Sequence, residues 1–133
     1  MSDLRPRQFR SNAAGIAPGG HYSHAVAAGG FVFVSGQLPI AAGSPPDPRL
    51  PFAQQVRLTL HNVESALMAA RASLRDLAKV TVYLTSEEHW AEFNAIYAEV
   101  MGDHRPARAV VPVGPLHYGL LIEIEAVAFV GAR

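Results

Sequence analysis

The charged side chains that could do chemistry in this chain lie on two apolar, strand-like runs between Pro106 and Phe129. The first run, Pro106-Ala107-Arg108-Ala109-Val110-Val111-Pro112-Val113, carries Arg108. The second, Leu120 to Phe129, carries Glu123 and Glu125. Successive strand side chains face opposite ways, so Glu123 and Glu125 share one face and Ile122 and Ile124 the other. If the two runs pair as neighbours across the Gly114 to Gly119 loop, a guanidinium and two carboxylates come within reach of one another. A buried charge without a partner is costly, so this arrangement calls for an internal ion pair or a polar ligand. The alternative is structural: a salt bridge joining two strands, or edge charges that discourage aggregation.

Other chemistries find less support. The chain has no cysteine, which excludes disulfides, thiolate nucleophiles and zinc–thiolate sites. The six histidines are His21, His24, His61, His89, His104 and His117. None forms the His-Glu-x-x-His pattern that sets two ligands on one helix face. His21 and His24 are three apart in an extended segment, where that spacing points them to opposite sides. His61 and His89 read as helix-surface residues, and no metal site is expected. No Gly-x-Ser-x-Gly elbow is present, so Ser35-Gly36 reads as strand-end geometry rather than a nucleophile. The glycines at 15, 19 and 20 lack the spacing and the lysine of a phosphate loop.

Eleven basic residues balance eleven acidic ones, which counts against a nucleic-acid surface. Arg5, Arg7 and Arg10 cluster only near the N-terminus. Half of the residues are hydrophobic and 17% are charged, the balance of a compact globule. The opening Met1-Ser2-Asp3-Leu4-Arg5-Pro6 lacks an apolar run of signal-peptide length, and no stretch approaches ~18 continuous apolar residues. The expectation is a cytoplasmic protein with no membrane partner. The 133 residues are read as one domain, with residues 1–18 as a partly extended arm.

The elements that must position the charges follow from periodicity. Gly29-Gly30 joins a short run beginning at His21 to Phe31-Val32-Phe33-Val34-Ser35, a hairpin signal. Gly36 interrupts the second run and allows a bulge or a close approach. Prolines and a glycine make 41–51 a loop. Val56, Leu60, Val63, Leu67, Ala70 and Leu74 draw one helical stripe from Phe52 to about Ser73, with Gln55, Arg57, His61 and Glu64 off it. Val80 to Leu84 is a β-branched strand. Thr85 with Glu88 fits a capping box for a second helix, whose face is Trp90, Phe93, Tyr97 and Val100 and whose end is Gly102. Asn94 breaks that face and could cap a backbone group or touch a ligand. The order strand, strand, helix, strand, helix, strand, strand predicts a mixed sheet with both helices on one face. The other face stays apolar, so sheets are expected to pack on one another in an oligomer.

Several segments together resemble the RidA/YjgF family, the reactive intermediate (enamine/imine) deaminases. They are Gly20-His21-Tyr22-Ser23-His24-Ala25-Val26, Val34-Ser35-Gly36-Gln37-Leu38-Pro39, Gln55 to Asn62, Lys79-Val80-Thr81-Val82-Tyr83-Leu84, Phe93-Asn94-Ala95-Ile96-Tyr97, Arg105-Pro106-Ala107-Arg108 and Ile122-Glu123-Ile124-Glu125-Ala126. The ordered set spans nearly all of residues 20–130. The resemblance implies an α+β, chorismate-mutase-like fold and a homotrimer with clefts between subunits. It implies hydrolysis of 2-imino or 2-enamino acids, such as 2-aminoacrylate, to 2-oxo acids and ammonia without a cofactor. Arg108 matches the arginine that holds the substrate carboxylate, and Glu123 the glutamate that positions water. Tyr22, Ser35, Gly36, Asn94 and Val110 fall where the family lines its cleft. His21 stands where proline is common, Arg71 replaces a usual glycine, and the Pro112 to Gly119 loop with Leu116-His117-Tyr118 is unlike the commonest members. Two competing functions are a non-catalytic trimer that binds small carboxylates and a ribonuclease or translation inhibitor.

Overall fold

The computed structural model describes residues 5–131. Residues 1–4, part of the stretch read as an arm and of the stretch scanned for a signal peptide, lie outside the described residues. Further along that stretch, Arg7–Phe9 form a short strand, β1, which no sequence pattern indicated. It pairs antiparallel with β2, Ala25–Ala28. Gly29 and Gly30 both take positive φ, at 58° and 86°, and turn β2 back into β3, Phe31–Gln37. Only glycine adopts such a pair of angles without strain, which is why the Gly-Gly signal reads as a hairpin.

The remaining elements are α1, Phe52–Ala69; β4, Leu77–Leu84; α2, Trp90–Met101; β5, Ala107–Pro112; and β6, Ile122–Phe129. They complete one six-stranded mixed sheet in the order β1-β2-β3-β6-β4-β5. β6 runs antiparallel between β3 and β4, and β4 pairs in parallel with β5. The sheet, the two helices and the α+β class agree with the sequence reading. The expected pairing of the Arg108 and Glu123 strands does not hold, because β4 lies between them. β4 and β5 flank α2 as a strand–helix–strand unit, and such a unit sets its two strands parallel. β6 returns to the sheet's middle, where it can satisfy hydrogen bonds on both edges.

Burial alternates along each central strand. Val32 and Val34, Val80 and Val82, and Ile122 and Ile124 point into the helix side and are buried. They meet Val56, Leu60, Val63 and Leu67 of α1 and Phe93, Ile96 and Tyr97 of α2. The opposite face leaves Phe31, Phe33 and Phe129 exposed, with Phe31 and Phe129 rings 5.0 Å apart. Among the described residues no helix is long and apolar enough to cross a membrane.

Three local readings are corrected. Helix α1 ends at Ala69 rather than near Ser73, because Arg71 takes φ 60° and the chain reverses there. The Arg71 and Ala72 amides donate back to the Met68 and Leu67 carbonyls, a Schellman closure with arginine in the position glycine usually fills. Ahead of α2 runs a single 3-10 turn, Glu87–His89, and its cap is Ser86, whose hydroxyl accepts from the Glu88 amide at 3.2 Å, not Thr85; α2 itself starts without a side-chain cap. Gln55 is fully buried rather than off the stripe. Its amide nitrogen donates to the Leu50 carbonyl (2.9 Å) and its oxygen accepts from the Leu121 amide (2.9 Å), tying two loops to α1.

Candidate functional site

Arg108 is the second residue of β5 and pairs in register with Val80, so its side chain points to the helix side. There the guanidinium carbon lies 4.8 Å from the Tyr97 ring centroid and 5.5 Å from that of Phe93. One guanidinium nitrogen donates to Asn94 Oδ1 at 3.0 Å. Asn94, read as a backbone cap or a ligand contact, holds the Arg108 guanidinium through its side-chain oxygen. The ion pairs of Arg49 with Asp47 and of Arg57 with Glu99 lie elsewhere and do not involve Arg108. The cation is thus held by aromatic faces and an amide, with no carboxylate paired to it among the described residues. The Tyr97 hydroxyl beside it is buried with no hydrogen-bond partner among the described residues. Val110, two residues along β5, shares the face of Arg108 and lines a hollow of about 300 Å³ with Leu84, Ser86, Glu87, Trp90 and Pro112.

Glu123 pairs with Tyr83 on the opposite face of the sheet. It is half-buried and its carboxylate lies over Gly36, where an added Cβ would collide with Oε2. The register shift between Val34 and Gln37 marks a bulge at this point, so Gly36 both bends β3 and leaves the space Glu123 fills. Burial pushes the Glu123 carboxyl above the usual range; His117 opposes this and Glu125 reinforces it. Glu125 itself accepts a short hydrogen bond from the Tyr83 hydroxyl. Ser35, next to the bulge, donates through its hydroxyl to the Ser23 carbonyl at 2.6 Å, and its amide donates to the His24 carbonyl. This fixes the segment that presents Tyr22. Tyr22, His24, Gly36, Gln37, Asn62 and Tyr118 line a second hollow of about 280 Å³. Gln37 Nε2 donates to His24 Nδ1 (3.1 Å) and the Ser35 carbonyl (3.1 Å), and burial pushes the His24 pKa down, which favours its neutral form.

The seven expected site residues therefore form two groups. Arg108, Asn94 and Val110 meet at the β5–α2 edge. Tyr22, Ser35, Gly36 and Glu123 meet around the β3 bulge. Strand β4 and the thickness of the sheet separate the groups within one chain. The sequence reading missed Trp90, His24 and Gln37 as lining residues. Their signals, an aromatic one helical turn before Asn94 and polar side chains flanking the bulge, mean something only once the partners are known.

The chain matches the family model described as Endoribonuclease L-PSP over residues 12–130. It is 43% identical over 121 residues to a RutC family protein of Pyrococcus horikoshii, covering 91% of this chain and 94% of that one. It is 36% identical over 119 residues to TdcF of Escherichia coli, which is named as a candidate reactive intermediate deaminase, covering 84% and 90%. A crystal structure of that TdcF with bound serine matches with TM-score 0.75 at 34% identity, over 90% of this chain and 93% of that chain. The E. coli YjgF gene product matches with TM-score 0.82 at 31% identity, over 92% and 98%.

Proposed function

The chain belongs to the Endoribonuclease L-PSP (RidA/YjgF) family, and on that premise we propose that it hydrolyses 2-imino and 2-enamino acids to 2-oxo acids and ammonia. The observation that carries the reading is Arg108. A guanidinium held against two aromatic rings, oriented by Asn94 and paired with no carboxylate among the described residues, suits a small acid's carboxylate, taken through two parallel hydrogen bonds.

Glu123 supplies the second role. Water adds through its oxygen to the C=N carbon, and the Glu123 carboxylate accepts the released proton. The carboxyl returns that proton to nitrogen, giving the carbinolamine. The carboxylate then takes the carbinolamine hydroxyl proton and passes it to nitrogen as the carbon–nitrogen bond breaks, so that ammonia leaves and the C=O of the 2-oxo acid forms. Partial burial, which raises the proton affinity of Glu123, suits a group that must both take and give a proton. No cofactor enters this scheme.

Arg108 and Glu123 face opposite sides of one chain's sheet, so a site that uses both needs two copies. The exposed Phe31, Phe33 and Phe129 supply an apolar face for that contact. An edge-to-face contact repeated around an axis closes into a ring, and the family resemblance implies three subunits. Glu123, Gly36, Ser35 and Tyr22 of one copy then face Arg108, Asn94 and Val110 of the next, across a cleft.

The test is to generate 2-aminoacrylate from serine with a dehydratase and to compare 2-oxo acid release with the spontaneous rate. Release well above that rate is expected for the native chain, and Arg108→Ala should return it to the spontaneous rate with the fold retained. Full turnover by Glu123→Ala would remove the water-positioning role. Release by the native chain no faster than the spontaneous rate would favour the second reading, a carboxylate-binding assembly without chemistry, to which the serine bound by TdcF gives a specific motive.

A further inference from the structure

Apart from Val110, the residues that line the hollow beside Arg108 have no part in the chemistry above. We infer that it is the pocket for the substrate's side chain, and that it selects 2-imino acids with branched apolar or aromatic side chains over the smallest ones. The inference rests on the carboxylate-holding role of Arg108 and adds the substrate class.

The geometry comes from two periodicities. Arg108 and Val110 are alternate residues on β5, so they share a face about 7 Å apart. Trp90 and Asn94 are one turn apart on α2, so they share a face about 6 Å apart. The contact from Arg108 to Asn94 joins the first members of a ladder whose next rung is Val110 and Trp90. A carboxylate seated on Arg108 therefore places the next carbons of its chain level with the hollow. The volume, about 300 Å³, lies at the lower end of small-molecule sites, which suits a side chain rather than a whole cofactor.

The lining gives the chemical class. Leu84, Val110, Pro112 and the Trp90 ring make apolar walls, and Ser86 and Glu87 sit among them. Glu87 disfavours an acidic side chain by like-charge repulsion. Trp90 is 46% exposed, although an indole normally gains from burial. A ligand carbon chain laid against it recovers that burial. Added carbons in an apolar pocket are each worth roughly tenfold or more in kcat/KM when fully enclosed. The open side of this hollow lowers that, so about tenfold in total is expected between a four-carbon branched side chain and a methyl.

Trp90 is the chain's single tryptophan, which provides a reporter independent of turnover. The full chain is titrated with pyruvate and with 4-methyl-2-oxopentanoate while Trp90 emission is followed. The branched acid should bind about tenfold tighter and change the emission more. Arg108→Ala should abolish both responses. In parallel, imines are generated from alanine and from leucine by an amino-acid oxidase, and the ratio of the two kcat/KM values is taken. Trp90→Ala should bring that ratio close to one. Val110→Phe, which fills the hollow, should shift it toward the alanine imine. Equal binding of the two oxo acids, or a ratio unmoved by both substitutions, overturns the inference and leaves the deaminase reading intact. A preference in the titration with no acceleration of any imine supports the pocket and removes the deaminase instead.

Discussion

Gly36→Ala separates folding from function at the position where β3 bulges. The φ of Gly36 is not in the left-handed region, so alanine can adopt the backbone without strain. The three atoms nearest a new Cβ all belong to Glu123, with the carboxylate tip nearest. The tip of a flexible side chain can swing away, so the collision costs little stability. Replacing glycine by alanine also removes freedom from the unfolded chain, worth about 0.4–1 kcal/mol in favour of the fold. The net change in stability should fall within about 1 kcal/mol, a shift in Tm of a few degrees. The displaced carboxylate moves by roughly 1 Å, a misplacement that costs about 100-fold in a positioned reaction, or ~2.7 kcal/mol of barrier. The assays are a thermal melt and the 2-aminoacrylate coupled rate. Pairing the substitution with Glu123→Ala adds a cycle, in which the second loss should be nearly absent once the first is made. A Gly36→Ala protein with full activity refutes the role given to Glu123. One that fails to fold refutes the claim that only a movable carboxylate fills the space.

Three further outcomes follow from electrostatics and burial. Burial holds the Glu123 pKa up while His117 draws it down, so His117→Ala should raise it further and move the acid limb of the kcat/KM–pH profile to higher pH. The sign for stability is opposite to that of an ion-paired acid. The raised folded pKa means the fold favours protonated Glu123, a contribution present below the ordinary glutamate pKa and lost as pH rises through the folded value. Glu123→Gln should therefore raise Tm at pH 7 relative to pH 4. Gln55→Ala leaves the Leu121 amide and the Leu50 carbonyl without their side-chain partner and opens a void, so about 2–3 kcal/mol of stability should be lost, read by urea unfolding.

What was legible in the sequence was what depends on neighbours along the chain. The Gly29-Gly30 turn, the stripe of α1, and the β-branched run of β4 each announce themselves through local sterics and periodicity. The order of strands across the sheet does not. Nothing in the Gly114 to Gly119 loop shows that β6 passes beyond β4, so Arg108 and Glu123 looked like neighbours although they lie on opposite faces. Gln55 misled for a related reason: a polar residue reads as outward until the loops that it ties are in place. Thr85 and Ser86 are adjacent hydroxyls, and which one caps the turn that leads into α2 depends on where β4 ends. Arg108, Glu123 and Asn94 stood out by type and spacing, but their roles, and the choice of Tyr22, Ser35, Gly36 and Val110, came from resemblance, and the geometry sorted them into two groups that no single-chain pattern could separate.

That sorting implies genetic complementation. Each cleft would draw its cation from one subunit and its carboxylate from another, so two inactive proteins can repair each other. Arg108→Ala chains mixed with Glu123→Gln chains, unfolded and refolded together, would form rings in which some clefts pair an intact arginine with an intact glutamate. Random mixing in equal amounts gives about a quarter of the native activity. A mixture as inert as its components would mean that catalysis never crosses from one copy to the next.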